Sequence, residues 1–174
     1  MVATELEIIW RTPIGPLTGR ITTKGIRLLE FGQPAAFPAG PAEVRMLERR
    51  GGGAAATQSH AEAAEKFLVN YFRGEPAAEP PALDWTGASD FDRKVWRACS
   101  RIGFGRTLTY GELAGAIGKP DAARAVGGAM GRNPLPILVP CHRVLARGRN
   151  RLGGFSGGLA LKRWLLAHEG IDLK

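Results

Sequence analysis

Apolar and polar positions alternate at the start of the chain. Leu6, Ile8 and Trp10 form one set, and Thr12-Pro13-Ile14-Gly15-Pro16 breaks it. Leu17, Gly19 and Ile21 resume the alternation, Lys24-Gly25 makes a turn, and Ile26, Leu28 and Phe31 follow. A period of two predicts a three-strand antiparallel meander. Pro34, Pro38 and Pro41 mark an irregular crossing. A short helix is expected from Glu43 to Arg50, ended by Gly51 to Gly53.

From Ser59 the period lengthens. Ala61, Ala64, Phe67, Leu68, Tyr71 and Phe72 make one helical stripe, with Gly74 at the C′ position. A loop with Pro76, Pro80 and Pro81 follows and predicts a boundary near residue 88, giving lobes 1–88 and 89–174. The second lobe reads as mostly helical. Ser89 and Asp92 fit a capping pattern ahead of a face made by Phe91, Val95, Trp96 and Cys99, and Thr109 and Glu112 fit a second capping box. Gly118-Lys119-Pro120 is a stop and restart, so a helix ending near Ile117 is followed by one from Asp121 to Gly131. Leu135 to Val139 reads as an extended apolar stretch between prolines. A final helix carries Leu161, Trp164 and Leu165 and stops at Gly170.

Composition narrows the function. The chain has 174 residues and two cysteines, and no apolar run approaches the roughly 18 residues of a membrane span. Met1-Val2-Ala3-Thr4-Glu5 lacks the basic start of a signal peptide. Two cysteines exclude a disulfide scaffold and point to a reducing compartment, the cytoplasm. The net charge of +8 is uneven: residues 1–89 carry 9 basic and 10 acidic side chains, residues 90–174 carry 15 and 6. A basic half beside a neutral half suggests a polyanion, most often nucleic acid.

Two short helices joined by a Gly-containing turn are the helix-turn-helix pattern. The second helix carries small residues, Ala123 and Gly127 among them, around one long polar side chain, Arg124. It has no Asn or Gln to read adenine, which argues against a sequence-specific repressor. Small residues allow close approach to a duplex; the alternative is a helix packed tightly on its neighbour with Arg124 merely solvated. Cys99 sits on an apolar face and reads as core. Cys141 precedes His142 and Arg143, neighbours that favour a nucleophilic thiolate. A zinc site matches no spacing here. A Cys99–Cys141 disulfide and a cysteine-peptidase site stay open. Glu169 ends the last helix, where the macrodipole disfavours an anion, so a partner such as His142 is expected, or a solvated helix end.

The stretch from Arg124 to Val144, with Pro140-Cys141-His142-Arg143-Val144 at its end, closely resembles the signature of the O6-alkylguanine-DNA alkyltransferases, the methylated-DNA–protein-cysteine methyltransferases. Trp96, Tyr110-Gly111-Glu112-Leu113-Ala114, Ser156-Gly157-Gly158 and Trp164 to Gly170 match in order, and Thr12 to Leu17 resembles an N-terminal strand motif. The strong match covers roughly residues 90–170 and a weaker one 5–32. The resemblance implies an α/β fold with an RNase H-like or ferredoxin-like N-terminal lobe and a winged-helix-like C-terminal lobe. It implies a monomer that binds duplex DNA containing alkylated guanine, flips that base out and takes its alkyl group onto Cys141 once, with no cofactor, metal or membrane.

The resemblance also assigns roles. Cys141 is the acceptor, His142 its base through a water, and Glu169 completes the relay. Asn133 is a hinge, and Tyr110 assists proton transfer to the guanine and base rotation. The Val144 and Cys141 carbonyls accept from the guanine amino group, Ser156 donates to O6, and Pro136 and Phe155 wall the pocket. Arg124 fills the vacated stack, with Arg132, Ala123 and Gly127 against DNA. Three departures stand out. The order Gly131-Arg132-Asn133 differs from some relatives, so Arg132 is expected at another phosphate. The insert Arg147 to Arg151 is unusually basic, and adds expected phosphate contacts at Arg147, Arg149 and Arg151. The N-terminal lobe lacks the Cys and His ligands of zinc-bearing members, and with no Cys-rich domain ahead of it a regulator's role is not expected. Cysteine at 141, where non-catalytic relatives carry tryptophan, implies transfer.

Overall fold

The computed structural model describes residues 5–32, 43–51, 54–75, 79–148 and 151–173. The expected crossing through Pro34, Pro38 and Pro41, and Gly52, Gly53, Pro76 and Arg149, lie outside them. The chain divides into two compact units, residues 1–86 and 87–174, in a mixed α/β architecture.

In the first unit, β1 (Leu6–Thr12), β2 (Gly15–Thr22) and β3 (Gly25–Phe31) form an antiparallel meander, and β4 (Arg45–Arg50) adds to the free edge of β1, giving the order β3-β2-β1-β4. The alternation buries Leu6, Ile8, Trp10, Leu17 and Ile21 on one face. Gly19 is required there: a Cβ would fall 2.5 Å from the Trp10 ring. Trp10 Nε1 donates to Glu65 Oε2 at 2.9 Å, which fastens the sheet to α1 (Ala55–Phe72). That helix buries the stripe Ala61, Ala64, Phe67, Leu68, Tyr71 and Phe72, and Gly74 (φ +68°) closes it by donating to the Tyr71 carbonyl.

The segment expected to be helical at 43–50 is instead strand β4. It pairs with β1 from Glu7↔Arg50 to Arg11↔Arg45, and all six of its residues are exposed. Its residues favour a helix locally, but an open sheet edge one strand away satisfies their backbone groups without any buried face.

The second unit is built from α2 (Asp90–Cys99), β5 (Leu108–Thr109), α3 (Tyr110–Ala116), α4 (Ala123–Gly131), β6 (Val144–Leu145) and α5 (Leu159–His168). Ser89 Oγ accepts from the Asp92 N–H at 3.0 Å. Thr109 and Glu112 form a full capping box at the start of α3. Gly118 (φ +72°) ends the α3 turn and Pro120 opens a 3-10 turn that leads into α4. Trp96, on the buried face of α2, donates its Nε1–H to the Ala129 carbonyl at 2.9 Å and ties α2 to α4. The short strands β5 and β6 pair in parallel, Leu108 opposite Val144 and Thr109 opposite Leu145. That pairing sets the first residue of α3, Tyr110, beside the segment that carries Cys141. No helix among the described residues is long and apolar enough to cross a membrane.

Candidate active site

The segment before Cys141 is a buried turn, not the extended stretch expected from its apolar run. Asn133 organises it. Its Oδ1 accepts from the Leu135 N–H at 3.0 Å, and its Nδ2 donates to the Val139 carbonyl at 2.9 Å. The Val139 N–H returns to the Leu135 carbonyl (2.7 Å), and the Cys141 N–H donates to the Val139 carbonyl (2.7 Å). Ile137 sits at φ +72°, a left-handed conformation rare for a β-branched residue. The side-chain amide thus supplies the bonds that a neighbouring strand would otherwise supply, which is why an apolar run folds back on itself here.

Cys141, His142 and Arg143 form one 3-10 turn, and all three are buried. His142 Nε2 lies 2.6 Å from Glu169 Oε1, so the glutamate at the C-terminal end of α5 has the partner its position demanded. It has others. Arg143 Nε donates to both carboxylate oxygens and Nη2 to Oε1 (3.0 Å), while the Gly105 N–H donates to Oε2 at 3.1 Å. Burial alone would raise the Glu169 pKa, but the His142 and Arg143 bonds reverse this and hold it down at about 2. Burial also lowers the His142 pKa, against the pull of Glu169, so the imidazole is neutral near pH 7. Burial raises the Cys141 thiol, while the Asn133 side chain and the Lys162 charge favour the thiolate. Cys99 is fully buried in the core of α2, and burial pushes its thiol far up.

A cavity of about 390 Å³ opens above the thiol, within the usual range of about 300–1,000 Å³ for small-molecule sites. Tyr110, Gly127, Met130, Gly131, Cys141, Gly154, Phe155 and Ser156 line it. Gly153 (φ +68°) makes room for Tyr110: a Cβ would fall 2.9 Å from its hydroxyl. Lys162 holds the opposite wall. Its buried ammonium donates to the Val144 carbonyl (2.7 Å) and to those of Leu152 and Gly154. Burial lowers its pKa to about 8.

The fold therefore brings Cys141, Tyr110, Gly127, Phe155 and Ser156 to one cavity, with His142, Glu169 and Asn133 behind the thiol. Val144 and Pro136 are buried and do not line the cavity; the Val144 carbonyl already accepts from Lys162. Ala123 opens α4, and Arg124 is exposed beside it. Arg132, expected at a phosphate, pairs with Asp92 at 2.7 Å because the end of α4 runs beside the start of α2. Arg147 and Arg151 are exposed. Sequence reasoning missed Lys162, and it set Arg143 beside the Cys141 thiolate where the fold places its guanidinium on Glu169. The signal for Lys162 was its place among Leu161, Leu165 and Leu166 on the apolar face of α5. Among the described residues no group of His, Cys, Asp and Glu is placed to hold a metal.

Fold and site together define a mixed α/β protein whose helical unit carries a buried Cys–His–Glu constellation under an open cavity. Residues 90–171 match the family described as 6-O-methylguanine DNA methyltransferase, DNA binding domain. The chain is 48% identical over 106 residues to the methylated-DNA–protein-cysteine methyltransferase of Salmonella typhimurium, and spans 61% of that relative's length. It is 44% identical over 156 residues to the Mus musculus protein of the same name, covering 84% of this chain and 71% of that one. A crystal structure of Mycobacterium tuberculosis OGT in complex with DNA superimposes with a TM-score of 0.71 at 37% identity, over 92% of this chain and 91% of that one. The chain belongs to the methylated-DNA–protein-cysteine methyltransferase family.

Proposed function

We propose that this protein repairs duplex DNA by direct reversal, moving the alkyl group of O6-alkylguanine irreversibly onto Cys141. The observation that carries the reading is the placement of the Cys141 thiol at the foot of the cavity lined by Tyr110 and α4, with His142 and Glu169 in contact behind it. An ether carbon is a weak electrophile, so a thiolate suits the attack. The Cys141 proton passes, through a water, to Nδ1 of His142, whose Nε2 faces Glu169. The sulfur then bonds to the alkyl carbon as the carbon–O6 bond breaks. The electron pair left on the guanine is neutralised by a proton delivered with the help of Tyr110. The resulting thioether has no route back, so each molecule turns over once and needs no cofactor.

Asn133 holds the hinge between α4 and the acceptor turn. Ser156 donates to O6 from the cavity rim, Phe155 shapes the wall, and the Cys141 carbonyl faces the guanine amino group. The exposed Arg124 on α4 enters the base stack, and the small residues Ala123 and Gly127 let the helix approach the duplex. Extrusion costs a few kcal/mol, least for a weakly paired lesion, and the arginine offsets part of it. Arg132 orders α2 against α4 and lies near the DNA face, while Arg147 and Arg151 add phosphate contacts. The helical unit is a winged-helix-like module with a helix-turn-helix. The first unit is an RNase H-like or ferredoxin-like scaffold. All of these site residues lie in one unit, which suits a monomer, and two free thiols suit the cytoplasm.

Incubation with duplex DNA carrying O6-methylguanine, followed by intact mass, tests the reading. Transfer adds one CH2 unit to the protein. Tight lesion binding with no mass gain would make it a non-enzymatic lesion binder.

A further inference from the structure

Arg143 follows the acceptor and the base directly in sequence, yet the chemistry above gives it no step. Its side chain is 10% exposed, against a fully buried Glu169 side chain. Nε donates to both Glu169 oxygens (3.1 and 2.9 Å) and Nη2 to one of them (3.0 Å). Nη1 donates to the Ile102 carbonyl, and the guanidinium lies 5.9 Å from the Phe104 ring centroid. The guanidinium fork is thus anchored on both sides, and it presents the carboxylate to His142 in one orientation.

A lone buried carboxylate beside an imidazole has two options. It can accept a hydrogen bond from the ring, or it can take the ring's proton. A guanidinium on the same carboxylate removes the second option, because it makes protonation of Glu169 unfavourable. It also cancels part of the negative charge that would otherwise turn His142 into an imidazolium at rest. The charged and titratable groups facing His142 are Glu169 and Lys162 on α5 and Cys141 and Arg143 on its own turn; both cations disfavour a protonated ring. A base must be neutral before it acts.

We propose that Arg143 is a positioning residue of the alkyl transfer: it fixes Glu169 as an ionised acceptor, which locks His142 in the Nε2–H tautomer and reserves Nδ1 for the proton of Cys141. This assignment rests on the alkyl-transfer reading, and it is tested without DNA as well as with it. The three histidines, His60, His142 and His168, are separable by 15N-labelled imidazole NMR. In the unaltered chain, His142 shows the Nε2–H tautomer between pH 7 and 8. An Nδ1–H tautomer there overturns the proposal with no variant needed. In Arg143→Met the His142–Glu169 pair titrates as a unit at higher pH, by about one unit or more. The acid limb of the single-turnover transfer rate moves up by the same amount, while the Kd for duplex DNA stays within about twofold. Arg143→Lys restores charge without the fork and falls between the two; it also serves if the methionine variant does not fold. An unmoved tautomer, midpoint and acid limb in either folded variant, or loss of thermal stability alone, overturns the proposal. If the unaltered chain transfers no methyl group, the functional reading fails, and the NMR measurements still decide what Arg143 does to His142.

Discussion

His142 Nε2 and Glu169 Oε1 lie 2.6 Å apart with both side chains fully buried, although 27 positions separate them in the chain. The contact joins the 3-10 turn that carries the thiol to the last turn of α5. Its pH dependence has a definite sign. Glu169 is held at about 2, below the ordinary value of 4.5, so its contribution to stability is present above pH 4.5 and lost as the pH falls toward 2. His142 is depressed below 6.5, so burying it neutral stabilises the fold above that pH and the benefit declines as the pH falls below it. Both groups act in the same direction. Thermal unfolding followed from pH 7 to pH 3 should show a falling Tm, and Glu169→Gln should flatten the part below pH 4.5. An equal slope in that variant contradicts the assignment.

Asn133→Ala removes two buried bonds, to the Leu135 N–H and the Val139 carbonyl. The variant should lose about 1–3 kcal/mol for each group left unpaired, measured by urea unfolding. Alkylation of Cys141 by a small electrophile at pH 7 should also slow, because the amide favours the thiolate. Full stability with full thiol reactivity would mean the turn is held elsewhere.

Lys162 gives a prediction of the same sign as Glu169, in an alkaline window. Its folded-state pKa is lowered to about 8 from 10.5, so the folded chain carries fewer protons than the unfolded chain between those values. Stability contributed at this position therefore rises from pH 8 to 10.5. Lys162→Met should abolish that rise and, at pH 7, lower stability by leaving the Val144, Leu152 and Gly154 carbonyls without their donor. Chemical denaturation of both proteins across that window checks the slope.

Gly153→Ala should slow transfer at least about tenfold while leaving duplex binding intact, because its Cβ would fall 2.9 Å from the Tyr110 hydroxyl at a positive φ. Single-turnover kinetics alongside DNA titration separate the two effects. Unchanged kinetics would place Tyr110 outside the reaction.

Much of this site is legible in the sequence, and the exceptions share a cause. Period and capping boxes located the meander, α1 and the helices of the second unit, because those elements follow from local pattern. Residues 45–50 read as helical because nothing local reveals that β1 has an unpaired edge nearby. The turn through Ile137 read as extended because its bonds come from the side chain of Asn133 rather than from any run of residues. The pairing of β5 with β6 joins positions 36 apart and leaves no periodic trace. For the site, Cys141 and His142 were visible as neighbours, and Glu169 as an anion at the wrong end of a helix. Lys162 was not, and Arg143 was visible only as a neighbour of the thiol and not as the partner of Glu169, because a cation's partner is invisible until the fold brings a buried carboxylate or a cluster of carbonyls to it. The same holds for Arg132, whose partner Asp92 lies 40 positions earlier.

The most direct test of the account is intact-mass analysis with peptide mapping after one equivalent of O6-methylguanine duplex. The account predicts a protein heavier by one CH2 unit, with the methyl group on Cys141, and guanine restored in the DNA. A protein of unchanged mass, or a methyl group on Cys99, would contradict it.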